Sequence, residues 1–130
     1  MQSLTTVTRT TGSHVALKRG EVVPRTFRFA FEDVDPLIAA FRRMVRERAY
    51  DISELAITTY VVARSAGKKI TALPIFLVRG FHHGAILVNT KIVREPKDLE
   101  GKKVGVNRGY TVTTGVWVRG ILQSEYGVDL

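Results

Sequence analysis

The chain has 130 residues, 45% of them hydrophobic, with no cysteine and a formal net charge of +8. That is apolar enough for one modest core and too apolar for a disordered chain. The lack of thiols excludes disulfides and thiolate metal centres, and no apolar run is long enough to span a bilayer.

In chain order, "MQSLTTVTRTTGSH" shows no apolar h-region behind a basic n-region, and Gly12 with the β-branched run opposes a targeting helix. The expectation is a soluble, cytoplasmic chain. Leu4–Thr8 alternates and reads as a first strand, and "TGSHVALKRGE" as a short helix capped by Thr11 or Ser13 and stopped by Gly20. "RTFRFAF" places Phe27, Phe29 and Phe31 on one face of a strand. "EDVDPLIAAFRRMVRERA" is the clearest helix, with Asp35 as N-cap candidate and Pro36 at the first helical position. Leu55–Ile57 reads as a short buried strand, followed by a helix over Thr58–Ala66 ended by Gly67. Strands are expected at "KITALPIFLVRG", "HHGAILVN" and "KVGV", with Pro74 marking an edge or bulge in the first of them. "EPKDLEGKK" reads as a turn with a short helical piece, and Tyr110–Tyr126 as a helix ended by Gly127. Strands alternating with helices favour a parallel α/β fold. A βα pair beginning near Lys103 and ending in "YGVDL" lacks neighbours to bury it, so an N-terminal fragment, or a chain needing a partner for its second lobe, is expected.

Lys and Arg outnumber Asp and Glu by 20 to 12, but the cations are dispersed. The densest cluster, Arg42, Arg43, Arg46 and Arg48, forms a polar helix face opposite Leu37, Ile38, Phe41, Met44 and Val45. No nucleic-acid partner and no membrane partner are expected. Attraction of a small anion is the charge's other use.

Two strand-to-helix junctions carry the chemistry. In "VGVNRGYTVTTGVW", from Asn107, the small or hydroxylated residues Gly109, Thr111, Thr113 and Thr114 sit beside Arg108 at a helix start. Open α/β sheets place ligands at strand carboxyl ends, and a helix N-terminus offers unpaired N–H groups and partial positive charge to an anion. An ordinary N-cap with solvent-facing threonines is the alternative. The stretch matches neither a Walker motif nor a GxGxxG fingerprint. Thr58, Thr59 and Tyr60 repeat the pattern in "SELAITTYVVARSAG", where capping by Thr58 or Thr59 is again the alternative. In "VRGFHHGA", Arg79, His82 and His83 lie between glycines. Adjacent histidines on an extended segment point to opposite faces and no carboxylate completes a set, so no metal is expected. Either His82 or His83 is the best acid or base candidate near neutral pH.

"YDISELAITTY", "ITALPIFLVRGFHHGAILVN", "PKDLEGKKVGVNRGYTVTTGVWVRGIL" and "SEYGVDL" resemble the 4,5-dihydroxyphthalate decarboxylase family. The resemblance is close from Phe41 to Leu130 and looser over the first 40 residues. "DLEGKKVGV" recurs widely among substrate-binding proteins, whereas "GFHHGAI" with "NRGYTVTTGVW" is more specific. The resemblance implies an α/β, type 2 periplasmic-binding-protein-like, two-lobed fold, its first lobe largely present and its second truncated. On that plan residues 1–90 form the first segment of lobe one, 91–101 a crossover or hinge, and 102–130 the start of lobe two. It also implies decarboxylation of 4,5-dihydroxyphthalate, or a related hydroxylated aromatic dicarboxylate, to protocatechuate and carbon dioxide. The ring is its own electron reservoir, so no cofactor is expected. Arg79 or Arg108 would clamp one carboxylate and the helix start at Tyr110–Thr114 the other. His82 or His83 would move the proton, and Thr58, Thr59 and Tyr60 would meet the catechol oxygens. A substrate-binding protein of an ABC-type transporter, taking a small aromatic or anionic ligand, is the competing class, and a homo-oligomer is open to either.

Overall fold

The three alternating phenylalanines make a strand because each extended residue turns its side chain to the opposite face from the last. In the computed structural model, which describes every residue from Met1 to Leu130, β2 runs Phe27–Phe31 with its three rings half-buried and Arg28 and Ala30 exposed. Phe29 meets Phe27 edge-on at 5.0 Å between ring centres and stacks on Phe31 at 5.2 Å. β1, Gln2–Val7, lies between β2 and β3, Ile52–Ser53, in a three-stranded sheet of order β2-β1-β3. Both pairings are parallel, with Leu4 opposite Phe29 and Thr6 opposite both Phe31 and Ile52. The protein is therefore α/β with a small parallel sheet.

Helix α1 is short, Val15–Lys18, and its N-cap is His14 with no side-chain cap, so neither Thr11 nor Ser13 caps it. Helix α2, Leu37–Glu47, presents the arginine face to solvent as its spacing predicts and buries Ala40. It starts one residue later than expected. Pro36, not Asp35, is the N-cap, and no side chain caps the helix. Val7, Ala40 and Tyr50 form the core, packed by Val34, Leu37, Met44 and Ala49. The third strand is also displaced. Asp51 N–H donates to Thr5 and Glu54 N–H to Val7, so the ladder is used up before Leu55, and Ile57 already begins α3, Ile57–Ser65.

The strands expected over residues 69–80, 82–89 and 103–106 are not there. A strand exists only through a ladder with a neighbour, and none of these segments has one. Their apolar side chains, among them Leu73, Ile75, Phe76, Leu87 and Val104, stay exposed. Two 3₁₀ turns, His83–Ala85 and Pro96–Leu99, punctuate this part of the chain, and α4, Thr113–Tyr126, closes it at the left-handed Gly127. α4 starts three residues after Tyr110, because Arg108 and Gly109 both turn left-handed just before it.

Two compact units result: Met1–Ala56 with Tyr60–Leu77, and Ile57–Thr59 with Val78–Leu130. Ile121, Leu122 and Val128 are the buried apolar side chains of the second. No helix is long and apolar enough to cross a membrane.

Candidate functional site

The second unit's junction is built by backbone. Arg108 at φ 63° and Gly109 at φ 113° are consecutive left-handed residues, which reverse the chain and let Gly109 C=O accept Val112 N–H at 3.3 Å. α4 then opens with Val112 as N-cap and no side-chain cap. The threonines are thus not spent on capping, and the first-turn N–H groups keep their capacity for an acceptor. Gly115 is buried because a Cβ there would come within 2.7 Å of Val106 Cγ1; segment 104–106 packs against the first turn through that gap.

Four residues after Gly115, on the same helix face, stands Arg119. Its guanidinium lies 3.5 Å from the centre of the Tyr110 ring, and its buried Nη1 has no hydrogen-bond partner. Arg108 is exposed and makes no ion pair. The junction therefore gathers two cations, one with an unused buried donor. Arg119 escaped the sequence reading, which treated it as helix interior; its i,i+4 spacing from Gly115 was the signal.

Thr58 and Thr113 are joined hydroxyl to hydroxyl at 2.8 Å within this unit. Thr58 and Thr59 do not cap α3, whose N-cap is Ala56. Trp117, four residues after Thr113 and hence on its face, stacks nearly parallel on the His82 ring at 6.2 Å and 6°. Thr58, Thr113, Trp117 and His82 thus share one side of α4's first half. His83 is held elsewhere: its Nε2 pairs with Glu125 Oε2 at 2.9 Å. At about 1.5 Å rise per residue, Glu125 is about 18 Å along the axis from Thr113. Asn107, Tyr110, Thr111 and Thr114 are exposed on the junction; Thr59 and Tyr60 are half-buried in α3's first turn, and Arg79 is exposed on the segment before His82. No three His, Asp or Glu side chains cluster to hold a metal ion.

The second unit also ties its own turns electrostatically. Arg94 and Glu95 N–H groups hold the Asp98 carboxyl below its ordinary pKa. Asp129 N–H and the Lys97 ammonium do the same for Glu100. Lys97 also donates to Gly127 C=O at the carboxyl end of α4, where a cation is favoured.

The first unit carries a cavity that sequence reasoning missed. It is open, about 300 Å³, and lies where β1 and β2 end, among Thr8, Arg9, Thr10, Lys18, Asp33 and Asp35 over the apolar Val34 and Leu37. The strand-end rule applied to the other junctions would have found it, since "TRTTGSHVALK" follows β1 directly. Arg9 Nε and Nη2 both reach Glu54 Oε1 at 2.6 Å, and Glu54 is buried.

Comparison with known proteins finds no matching family model. The chain is similar to 4,5-dihydroxyphthalate decarboxylase of Comamonas testosteroni, 41% identical over 90 residues, which are 68% of this chain and 27% of that protein. It is similar to 4,5-dihydroxyphthalate decarboxylase of Pseudomonas putida, 35% identical over 105 residues, 75% of this chain and 40% of that protein. The chain thus spans about a quarter to two fifths of the length of these curated relatives. The resemblance read from the motifs holds: by sequence the chain is a relative of the 4,5-dihydroxyphthalate decarboxylases.

Proposed function

We propose that this relative of the 4,5-dihydroxyphthalate decarboxylases belongs to a cytoplasmic carboxy-lyase that releases carbon dioxide from a hydroxylated aromatic dicarboxylate. The observation that carries the reading is the 35–41% identity to two proteins of that name. A fold of the type 2 periplasmic-binding-protein kind belongs to the same proposal, with residues 1–90, 91–101 and 102–130 as first-lobe segment, crossover and second-lobe start. The parallel sheet supports the fold.

Each carboxylate of 4,5-dihydroxyphthalate lies para to a ring hydroxyl. Ionising that hydroxyl pushes electron density onto the carbon bearing the carboxylate. A proton adds to that carbon, the bond to the carboxylate breaks, and its electron pair returns to the ring as carbon dioxide leaves. The hydroxyl then regains its proton, so one proton enters overall and protocatechuate results. The junction suits a carboxylate: Arg108, the unused Arg119 Nη1 and the uncapped start of α4 are all donors. His82, stacked on Trp117 beside the Thr58–Thr113 pair, is the proton carrier we assign; His83 is engaged with Glu125.

The test is turnover of 4,5-dihydroxyphthalate by the full-length gene product, followed as carbon dioxide and protocatechuate. Product is expected, with His82→Ala slowing turnover about a hundredfold or more and changing binding little. His83→Ala is expected to keep most of the rate. Tight binding without product would replace the decarboxylase by a binding protein, and an unchanged rate in His82→Ala would remove the histidine's role.

A further inference from the structure

We propose that the cavity at the carboxyl ends of β1 and β2 takes the adjacent-hydroxyl edge of an aromatic ligand, with Lys18 donating to a ring oxygen. The proposal deepens the reading of the chain as one that handles a dihydroxylated ring, and rests on it.

Lys18 is an unusual lysine. Its side chain is only 12% exposed, although lysine heads normally reach for water. The fold holds it: Nζ donates to Thr8 C=O at 2.8 Å and to Thr10 Oγ1 at 3.0 Å. The third donor is the loose one. It reaches Asp33 Oδ1 at 3.4 Å, and the Asp33 side chain is 95% exposed. A ligand oxygen can therefore take that place without dismantling the other two contacts. Such a partner gains from the surroundings, because a charge-assisted hydrogen bond in a partly dry site is stronger than a neutral one.

Charge decides which chemical edge fits. Arg9 is neutralised by the buried Glu54, with which it forms two short contacts, so it does not count as a free cation. What remains in the lining is one cation, Lys18, against two carboxylates, Asp33 and Asp35. A dicarboxylate edge entering here would meet two carboxylates against one ammonium, a net negative charge that repels it. Adjacent hydroxyls do the opposite. They donate to the Asp33 or Asp35 carboxylate and accept from Lys18, so every polar atom of the edge finds a complementary group. Val34 and Leu37 supply an apolar surface for the ring. At about 300 Å³ the cavity suits one small ring.

The test is titration of the chain with catechol and, separately, with phthalate, read by amide shifts in two-dimensional NMR. Catechol is expected to shift Thr8–Thr10, Lys18 and Asp33–Asp35 saturably; phthalate is expected to leave them in place. Lys18→Met should weaken catechol about tenfold or more. Asp35→Asn, at an exposed side chain that leaves the fold intact, should weaken it about three- to tenfold and carries the test if Lys18→Met does not fold. Phthalate shifting the same amides as strongly, or catechol binding unchanged in Asp35→Asn and in a folded Lys18→Met, overturns the proposal. Carbon dioxide release from 4,5-dihydroxyphthalate by the full-length gene product, measured in parallel, separates the two readings. Release without these shifts sinks the cavity and keeps the decarboxylase; the shifts without release keep the cavity and sink the decarboxylase.

Discussion

The sequence reads as strand at both Leu4–Thr8 and 103–106, yet only the first of these stretches lies in one, β1. β1 lies between two parallel neighbours and its Val7 is wholly buried. The later segment has no ladder partner; its Val106 touches the gap left by Gly115, while Val104 is 57% exposed. Period-two alternation states which face would be buried. It does not supply the neighbour whose N–H and C=O groups make the strand. The first unit has that neighbour on both sides of β1; the second relies on turns, α4 and local polar contacts.

The comparison breaks most forcefully at the end of β1. Glu54 is 7% exposed and depends on Arg9 for its counter-charge. Arg9→Met leaves that carboxylate unpaired and is expected to cost about 3 kcal/mol in urea unfolding, a figure at the low end for a broken buried pair because Arg9 is half open to solvent. No loss would mean that water reaches Glu54 and that the first unit is looser than its ladder implies. A paired test follows with smaller effects. Val7→Ala should cost about 2 kcal/mol, since it empties a fully buried site, while Val104→Ala should stay within about 0.5 kcal/mol. Equal losses would show that the second segment is as well packed as the first.

What was legible follows the same division. β1, β2 and α2 were readable because their patterns report contacts made within the chain: the phenylalanines face one way and the arginines the other. The end of α4 was readable because Gly127 supplies the left-handed turn that stops a helix. The start of α2 was misplaced by one residue because Asp35, a good capping type, leaves that position to Pro36. At the junction, the residue types pointed to an anion-ready helix start, and the structure leaves that start uncapped. Arg119 and Trp117 were illegible as site residues, because only the folded helix brings them to Tyr110 and His82. Lys18 was illegible for a different reason: a lysine in sequence looks solvated, and its burial is a tertiary fact.

The junction offers a sharper version of the comparison, in which stability and binding separate. Arg108 sits at φ 63°, a conformation that costs an L-residue about 1 kcal/mol and glycine nearly nothing. Arg108→Gly should therefore leave stability unchanged or raised by a few tenths of a kcal/mol while weakening a carboxylate ligand about fivefold or more. Gly109→Ala, at φ 113°, should do the reverse and cost about 1–2 kcal/mol. A fall in stability for Arg108→Gly would make the arginine a structural residue.

The smallest effect lies in the turn that the second unit uses in place of a ladder. Asp98 Oδ2 accepts from Arg94 N–H at 2.8 Å and from Glu95 N–H at 3.3 Å, and Glu95 returns the contact across the Pro96–Leu99 turn as a capping box. These donors favour the ionised carboxylate and lower its pKa. The unfolded chain binds that proton more readily, so the contribution is complete above the ordinary aspartate range near pH 4 and disappears as the pH falls through the lower folded value. The Arg94 and Glu95 amide shifts should accordingly titrate together with a midpoint below about pH 4, and Asp98→Asn should abolish that titration. A midpoint at the ordinary aspartate value would mean that the two N–H groups do not hold the carboxylate, and the second unit would then lack the local contact that here stands in for a strand's neighbour.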